Sequence, residues 1–160
     1  MDLALHYDPA LGGLDIAVDA ATGDLAREDT LATAVMLSLF CDRTAQAHEV
    51  PAAADRRGWW ADAYAAVNAQ GADAFGSRLW LLTREKQLPD TLQRLRAYIR
   101  EALQWLVDDG LADDVTVVVF APRTSWYVAD VHVALRGNSR RFRFEWNPDA
   151  SIWRMAGELQ

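Results

Sequence analysis

Apolar residues alternate with polar or small ones at the start of the chain. Leu3, Leu5 and Tyr7 follow that period. Asp8-Pro9-Ala10-Leu11-Gly12-Gly13 supplies turn residues, and Leu14, Ile16 and Val18 alternate again. A period of two around a Pro/Gly connection predicts a β-hairpin. A second turn at Thr22-Gly23-Asp24 is expected to lead into a helix over about residues 31–40, with Asp29 or Thr30 as its N-cap. This helix is apolar nearly all round (Leu31, Ala34, Val35, Met36, Leu37, Leu39, Phe40), so it must be buried on most sides, in the core or against a partner.

The middle of the chain reads as loops and helices. Residues 44–58 form an alanine-rich polar loop, residues 59–67 a short helix, and residues 68–76 a second loop. Ser77 to Gln87 reads as a helix ending before Pro89. Asp90 then caps the longest helix, with Gln93 three residues on, a capping-box spacing. Leu92, Leu95, Ile99, Ala102, Leu103 and Leu106 make one apolar stripe, with Tyr98 and Trp105 along its margin, and Gly110 stops the helix. Asp108 and Asp109 fall at the negative end of the helix dipole, an unfavourable place for a carboxylate.

The last third reads as β. Val115 to Phe120 is a continuous apolar run, as expected of a strand covered on both faces. In Trp126 to Leu135 one face carries Tyr127, Ala129, Val131, Val133 and Leu135. Arg136-Gly137-Asn138-Ser139 is a hairpin turn. Phe142, Phe144 and Trp146 then alternate with Arg141, Arg143 and Glu145, and Pro148 leaves Ile152, Trp153 and Met155 in a short tail. The fold class is α+β: an N-terminal β-hairpin, central helices and a C-terminal antiparallel sheet, in a single domain spanning residues 1–160.

Composition changes this picture in few places. At 160 residues, with 51% hydrophobic and 24% charged, one substantial core is expected. The formal net charge of −7 argues against a general nucleic-acid binder, because phosphate neutralisation needs a basic surface. Arg140, Arg141 and Arg143 read as a solvated face. With one cysteine, Cys41, no intramolecular disulfide can form. Met1-Asp2-Leu3-Ala4 lacks the basic start of a signal peptide, and no run approaches the roughly 18 apolar residues of a membrane span, so a cytoplasmic site of folding is expected.

Catalytic patterns are missing. His6, His48 and His132 are scattered without ligand spacing, so neither a metal nor a cofactor is expected. No phosphate-cradling glycine loop and no nucleophile elbow occurs. The chain instead concentrates arginine and tryptophan in two stretches, Asp55-Arg56-Arg57-Gly58-Trp59-Trp60 and Gly76-Ser77-Arg78-Leu79-Trp80-Leu81-Leu82-Thr83-Arg84-Glu85-Lys86-Gln87. These residue types combine large contact area with a polar handle and are enriched at binding hot spots. On a helix, Trp80 and Arg84 would share a face and could stack. Trp59 and Trp60 cannot both enter a core from one helical face, so at least one should meet a loop, a neighbour or solvent.

The order Arg-Arg-Gly-Trp-Trp at 56–60, Gly-Ser-Arg-Leu-Trp-Leu-Leu-x-Arg-Glu-Lys at 76–86 and Tyr-x-x-Glu-Ala-Leu-x-Trp-Leu at 98–106 resembles the Mu-like phage tail baseplate protein family. The opening Leu-x-Leu-x-Tyr-Asp-Pro and the Gly-Asp-Leu before Leu31 fit as well. That family is the counterpart of the small baseplate wedge subunit of T4-like phages, whose relatives often carry the label "lysozyme-like". The Glu-Pro-Arg motif of those wider relatives has Arg84-Glu85-Lys86 as its nearest stretch here. The resemblance implies a non-enzymatic subunit of the virion tail baseplate. Its implied partners are the larger baseplate wedge protein, other baseplate subunits and the tail sheath protein, the last joined by strand addition. It marks Arg56, Arg57, Trp59, Trp60, Arg78, Trp80, Arg84 and Glu85 as interface or fold-fixing residues, with both roles open. The rival reading is a peptidoglycan-cleaving lysozyme-type tail enzyme relying on Glu85.

Overall fold

The structure is a computed structural model that describes residues 2–8, 10–11, 13–28, 31–62, 75–83, 89–147 and 152–159. The predicted hairpin is present, with β2 (Leu5–Asp8) antiparallel to β3 (Gly13–Ile16). It is part of a larger motif. β1 (Asp2–Leu3) pairs with β4 (Arg27–Glu28), and Val18 bridges Leu25. Each of the three chain segments therefore pairs with both others. They meet at a closed ring of backbone hydrogen bonds: Ala4 N–H to Ala26, Ala26 N–H to Ala17 and Ala17 N–H to Ala4, each 2.9 Å. The turn at Thr22–Asp24 thus returns a third strand segment before the helix begins. Leu5 and Leu14 pack toward the core, whereas Leu11 and Val18 are exposed.

Helix α1 spans Ala32–Phe40. Its N-cap position is Leu31, which makes no side-chain cap hydrogen bond, and the expected caps Asp29 and Thr30 lie outside the described residues. The helix holds its place by burial instead: Ala32, Val35, Met36 and Leu39 are in the core. Helix α2 spans Pro89–Leu103. Asp90 lies inside its first turn rather than capping it. There its carboxylate suits the positive end of the helix dipole, and proline at the first position loses no helical hydrogen bond. Leu95, Ile99, Ala102 and Leu103 are buried along the expected stripe, and Leu92 is half-buried. A short helix α3 (Trp105–Asp108) continues it, burying Leu106 before Gly110 turns the chain at φ 70°.

The C-terminal sheet is antiparallel in the order β5 (Asp114–Arg123), β6 (Trp126–Leu135), β7 (Asn138–Asn147), β8 (Ile152–Leu159). The expected tail is therefore a fourth strand, paired along β7 with a bulge between Arg143 and Phe144. One face of the sheet carries Val115, Val117, Tyr127, Ala129, Val131, Val133, Phe142, Phe144 and Trp146, all buried in one cluster with α1, α2 and α3. Fully burying a leucine or phenylalanine side chain here is worth roughly 1.5–3 kcal/mol. Strand β5 is covered on one face only. Val118 is 51% exposed and Phe120 is exposed too, because the helices occupy a single side of the sheet. The expectation of cover on both faces is corrected. On the open face Arg143 forks onto Asp130, with both contacts at 2.7 Å. That hydrogen bonding holds the Asp130 carboxyl below its ordinary range. No helix among the described residues is long and apolar enough to cross a membrane.

Candidate contact site

The two arginine-tryptophan stretches meet around one segment, residues 41–45. On one side Ser77 N–H donates to Cys41 O and Arg43 N–H donates to Ser77 O, both at 2.8 Å. On the other side Ala45 N–H donates to Arg56 O at 2.9 Å. The glycine in each stretch allows this close approach. A Cβ on Gly76 would lie 2.5 Å from Cys41 O, and a Cβ on Gly58 would lie 1.9 Å from Thr44 Oγ1. Both glycines also have positive φ, 90° and 108°, where a side chain is strained. Ser77 anchors the junction further by donating its hydroxyl to Leu39 O at 2.6 Å.

Arg78 is the centre of a buried network. Its side chain is 12% exposed. Nε and Nη2 donate to Glu101 Oε2 at 3.0 and 2.7 Å, and Nη1 donates to Glu49 Oε1 at 2.6 Å. The guanidinium lies 4.7 Å from the Tyr98 ring centroid, and the Tyr98 hydroxyl donates to the same Glu49 oxygen at 3.0 Å. Arg94 Nη2 donates to the Tyr98 hydroxyl at 3.2 Å, and Arg43 approaches Glu101 at 3.5 Å. Burial alone would push the Glu49 carboxyl up. Hydrogen bonds from Arg78, the Gln46 amide and Tyr98 outweigh it and hold the group below the usual carboxylate range. Burial raises the Tyr98 hydroxyl above its ordinary value. The network joins the loop before residue 58 to helix α2 through groups that satisfy one another, as buried charges require.

Trp80 lies half-buried beside it. Of the helix expected over 77–87, the described part holds a 3₁₀ helix, Leu79–Leu82, which carries Trp80, and residues 84–87 lie outside the described residues. The Trp80 indole N–H donates to Arg43 O at 2.9 Å. Arg57 stacks 4.6 Å above its ring and pairs with Asp42 at 2.9 Å. Among the described residues the cation over Trp80 is Arg57, and Arg84 lies outside them, as does Glu85. Arg57 holds φ 51°, a left-handed backbone that bends the chain toward Gly58. Arg56 caps the Ala45 carbonyl, with Nε at 2.7 Å and Nη2 also in contact.

Trp59 and Trp60 point the other way. Trp60 is 75% exposed and Trp59 45%. Their ring centroids are 5.8 Å apart, and Trp59 packs against Phe75 at 5.4 Å. Behind Trp59 lies a cleft bounded by Phe75, Ala102 and Trp105, whose indole N–H donates to Ser38 Oγ at 3.0 Å. Among the described residues no group of histidine, cysteine and carboxylates could hold a metal. The Cys41 thiol is raised by burial and by Asp42, so it is a poor nucleophile at neutral pH.

Glu49 and Arg43 were not singled out in the sequence, and Tyr98 and Glu101 entered only as part of the helix margin and of the 98–106 motif, not as partners of Arg78. Glu49 and Glu101 are 29 and 23 positions from Arg78, and no local spacing joins them. The one signal available was Tyr-x-x-Glu at 98–101, which sets Tyr98 and Glu101 three apart on one helix face.

The family model described as Phage protein GP46 matches residues 31–140, which span the whole contact site. The Mu-like prophage FluMu protein gp46 of Haemophilus influenzae is 36% identical over 151 residues, covering 91% of this chain and 98% of its own. The baseplate protein gp46 of Escherichia phage Mu is 39% identical over 140 residues, covering 86% of this chain and 90% of its own. No solved structure matches significantly. The chain belongs to the GP46 family of Mu-like phages and prophages, whose phage Mu member is a baseplate protein.

Proposed function

We propose that the protein is a non-enzymatic structural subunit of the tail baseplate of a Mu-like contractile phage, assembled in the host cytoplasm and retained in the virion. It acts as a single wedge-type domain that binds the larger baseplate wedge protein and joins the baseplate to the tail sheath by strand addition. The observation that carries the reading is the near full-length similarity to the phage Mu baseplate protein. Two features of the fold support it. The sheet ends in β5 and β8, each paired within the sheet on one side only, and such edges can accept a strand from another chain. Apolar side chains also stand exposed at Trp59 and Trp60, at Leu11 and Val18, and at Val118 and Phe120.

The test is co-expression with the neighbouring larger baseplate protein, followed by size-exclusion chromatography with light scattering. A complex of defined stoichiometry is expected. A monomer that ignores that partner, together with cell-wall clearing that vanishes on Glu85→Gln, would overturn the reading in favour of a lysozyme.

A further inference from the structure

We propose that the cleft beside Trp59 receives an arginine side chain carried by a partner protein. The cleft encloses about 320 Å³ and is lined by Ser38, Trp59, Phe75, Ala102, Trp105 and Asp109. Three of these are aromatic, and Asp109 is the one charged residue among them. The Trp105 indole N–H is taken by Ser38 Oγ, and the Ser38 hydroxyl itself donates to Ala34 O at 2.8 Å. With the Trp105 and Ser38 donors occupied, the cleft offers three aromatic rings and a carboxylate, which complement a cation.

Its position strengthens that complementarity. Asp109 follows helix α3, where backbone carbonyls already concentrate negative potential. Asp108 stands beside it, exposed, and accepts from Gln104 at 3.0 Å. Two carboxylates at a helix C-terminus repel the dipole, and a bound cation removes that repulsion.

The planar, weakly hydrated guanidinium is the cation that stacks best on aromatic walls. Among the described residues the same fold uses that pairing four times, with Arg57 on Trp80 at 4.6 Å, Arg78 and Arg94 on Tyr98 at 4.7 and 5.7 Å, and Arg123 on Trp126 at 4.3 Å. Among the described residues no guanidinium lies over Trp59, Trp60 or Trp105. Trp60 forms a lip next to Trp59, and its exposed ring gives a partner surface to close over. The inference rests on the baseplate reading only for which proteins donate the arginine.

The experiment follows the indole N–H resonances of Trp59 and Trp105, each assigned by a Trp→Phe variant, during titration with N-acetylarginine N-methylamide. Saturable shifts of both are expected, with none from the neutral citrulline counterpart. Asp109→Asn should weaken binding by up to about fivefold, the scale of an exposed ion pair. Equal shifts with the citrulline compound, no shifts with arginine, or equally tight binding of tetramethylammonium would each overturn the assignment. In the co-expression assay, Asp109→Arg should block complex formation with an unchanged Tm, because the new guanidinium occupies the chain's own cleft. Asp113→Arg, at another exposed carboxylate, should not block it. A normal complex with Asp109→Arg overturns this inference and leaves the baseplate reading intact. Failure of the unaltered chain to form a complex bears on the baseplate reading alone, and the titration then decides the cleft.

Discussion

The surroundings of Arg78 and those of Trp60 use the same residue types for opposite purposes. Arg78 is largely enclosed, with Nε, Nη1 and Nη2 each donating to a carboxylate and its face against Tyr98. Trp60 packs against Trp59 and is 75% exposed. Arginine and tryptophan together therefore do not by themselves mark a contact surface. The distinction lies in what the chain supplies nearby. Where Glu49 and Glu101 converge, the arginine ties segments together, whereas Trp60, with no side-chain hydrogen bond among the described residues, stays exposed.

Removing Arg78 is the strongest way to test this contrast. Arg78→Ala leaves Glu49 and Glu101 facing each other across a partly buried space. Breaking a buried pair in this way costs about 3 kcal/mol, and Glu101, a third exposed, recovers some of it through water. For a chain of this length the expected fall in Tm is roughly 6–12 °C. Thermal unfolding followed by circular dichroism would detect it, and an unchanged Tm would remove the distinction between the two regions.

Gly76→Ala comes next. The added Cβ meets a backbone carbonyl rather than a movable side chain, and φ at 90° is strained for alanine. A loss of about 2 kcal/mol is expected in chemical denaturation, the usual range for such strain. Gly110→Ala makes a useful control, because its φ is also positive but nothing stands within 4 Å of the added atom. If both variants lose the same amount, positive φ alone sets the cost and the close approach to Cys41 contributes nothing.

Acid should weaken the Arg78 network before it affects the tryptophan ledge. The Glu49 carboxyl is lowered in the folded state from its ordinary value of 4.5. Its contribution is therefore complete above that value and is lost as pH falls below it, through the lowered folded-state value. Stability measured by denaturant unfolding between neutral pH and the acid limb should fall along this course, with a shallower fall in Glu49→Gln. An identical acid limb in the variant would mean that Glu49 does not stabilise the fold through its charge.

The pattern of side chains made much of the fold legible. The stripe from Leu95 to Leu106 along α2 and α3 and the alternation of Phe142, Phe144 and Trp146 report their buried faces directly, because helix and strand periods fix which side chains align. Continuous apolar character was less informative. Val118 and Phe120 extend the run of β5 yet stay exposed, since an apolar side chain records no cover by itself. Strand β8 was missed because Pro148 ends one element without indicating whether another begins. At the contact site both stretches were visible as sequence, but their division into inward and outward halves depends on contacts from residues 41–49 and 98–101. Those partners are fixed by tertiary approach, including the two glycine positions, and leave no local spacing to read.

Trp60→Ala should have the smallest effect on stability. The ring is 75% exposed and contacts Trp59 alone among the described aromatic side chains, so truncation should change stability by no more than about 0.5 kcal/mol. Its effect on assembly should be large if the exposed pair is a contact surface, because a central aromatic anchor can carry several kcal/mol of binding. The two measurements must be made on the same variant: thermal unfolding of the isolated protein, and electron microscopy of tails from a phage carrying the substitution. A near-unchanged Tm with missing or incomplete tails assigns Trp60 to a partner and sets it apart from Arg78, whose loss should impair assembly through the fold. A near-unchanged Tm with normal tails removes Trp60 from the interface. A large fall in Tm would place the ring in the fold after all, and the two regions would then differ in degree rather than in kind.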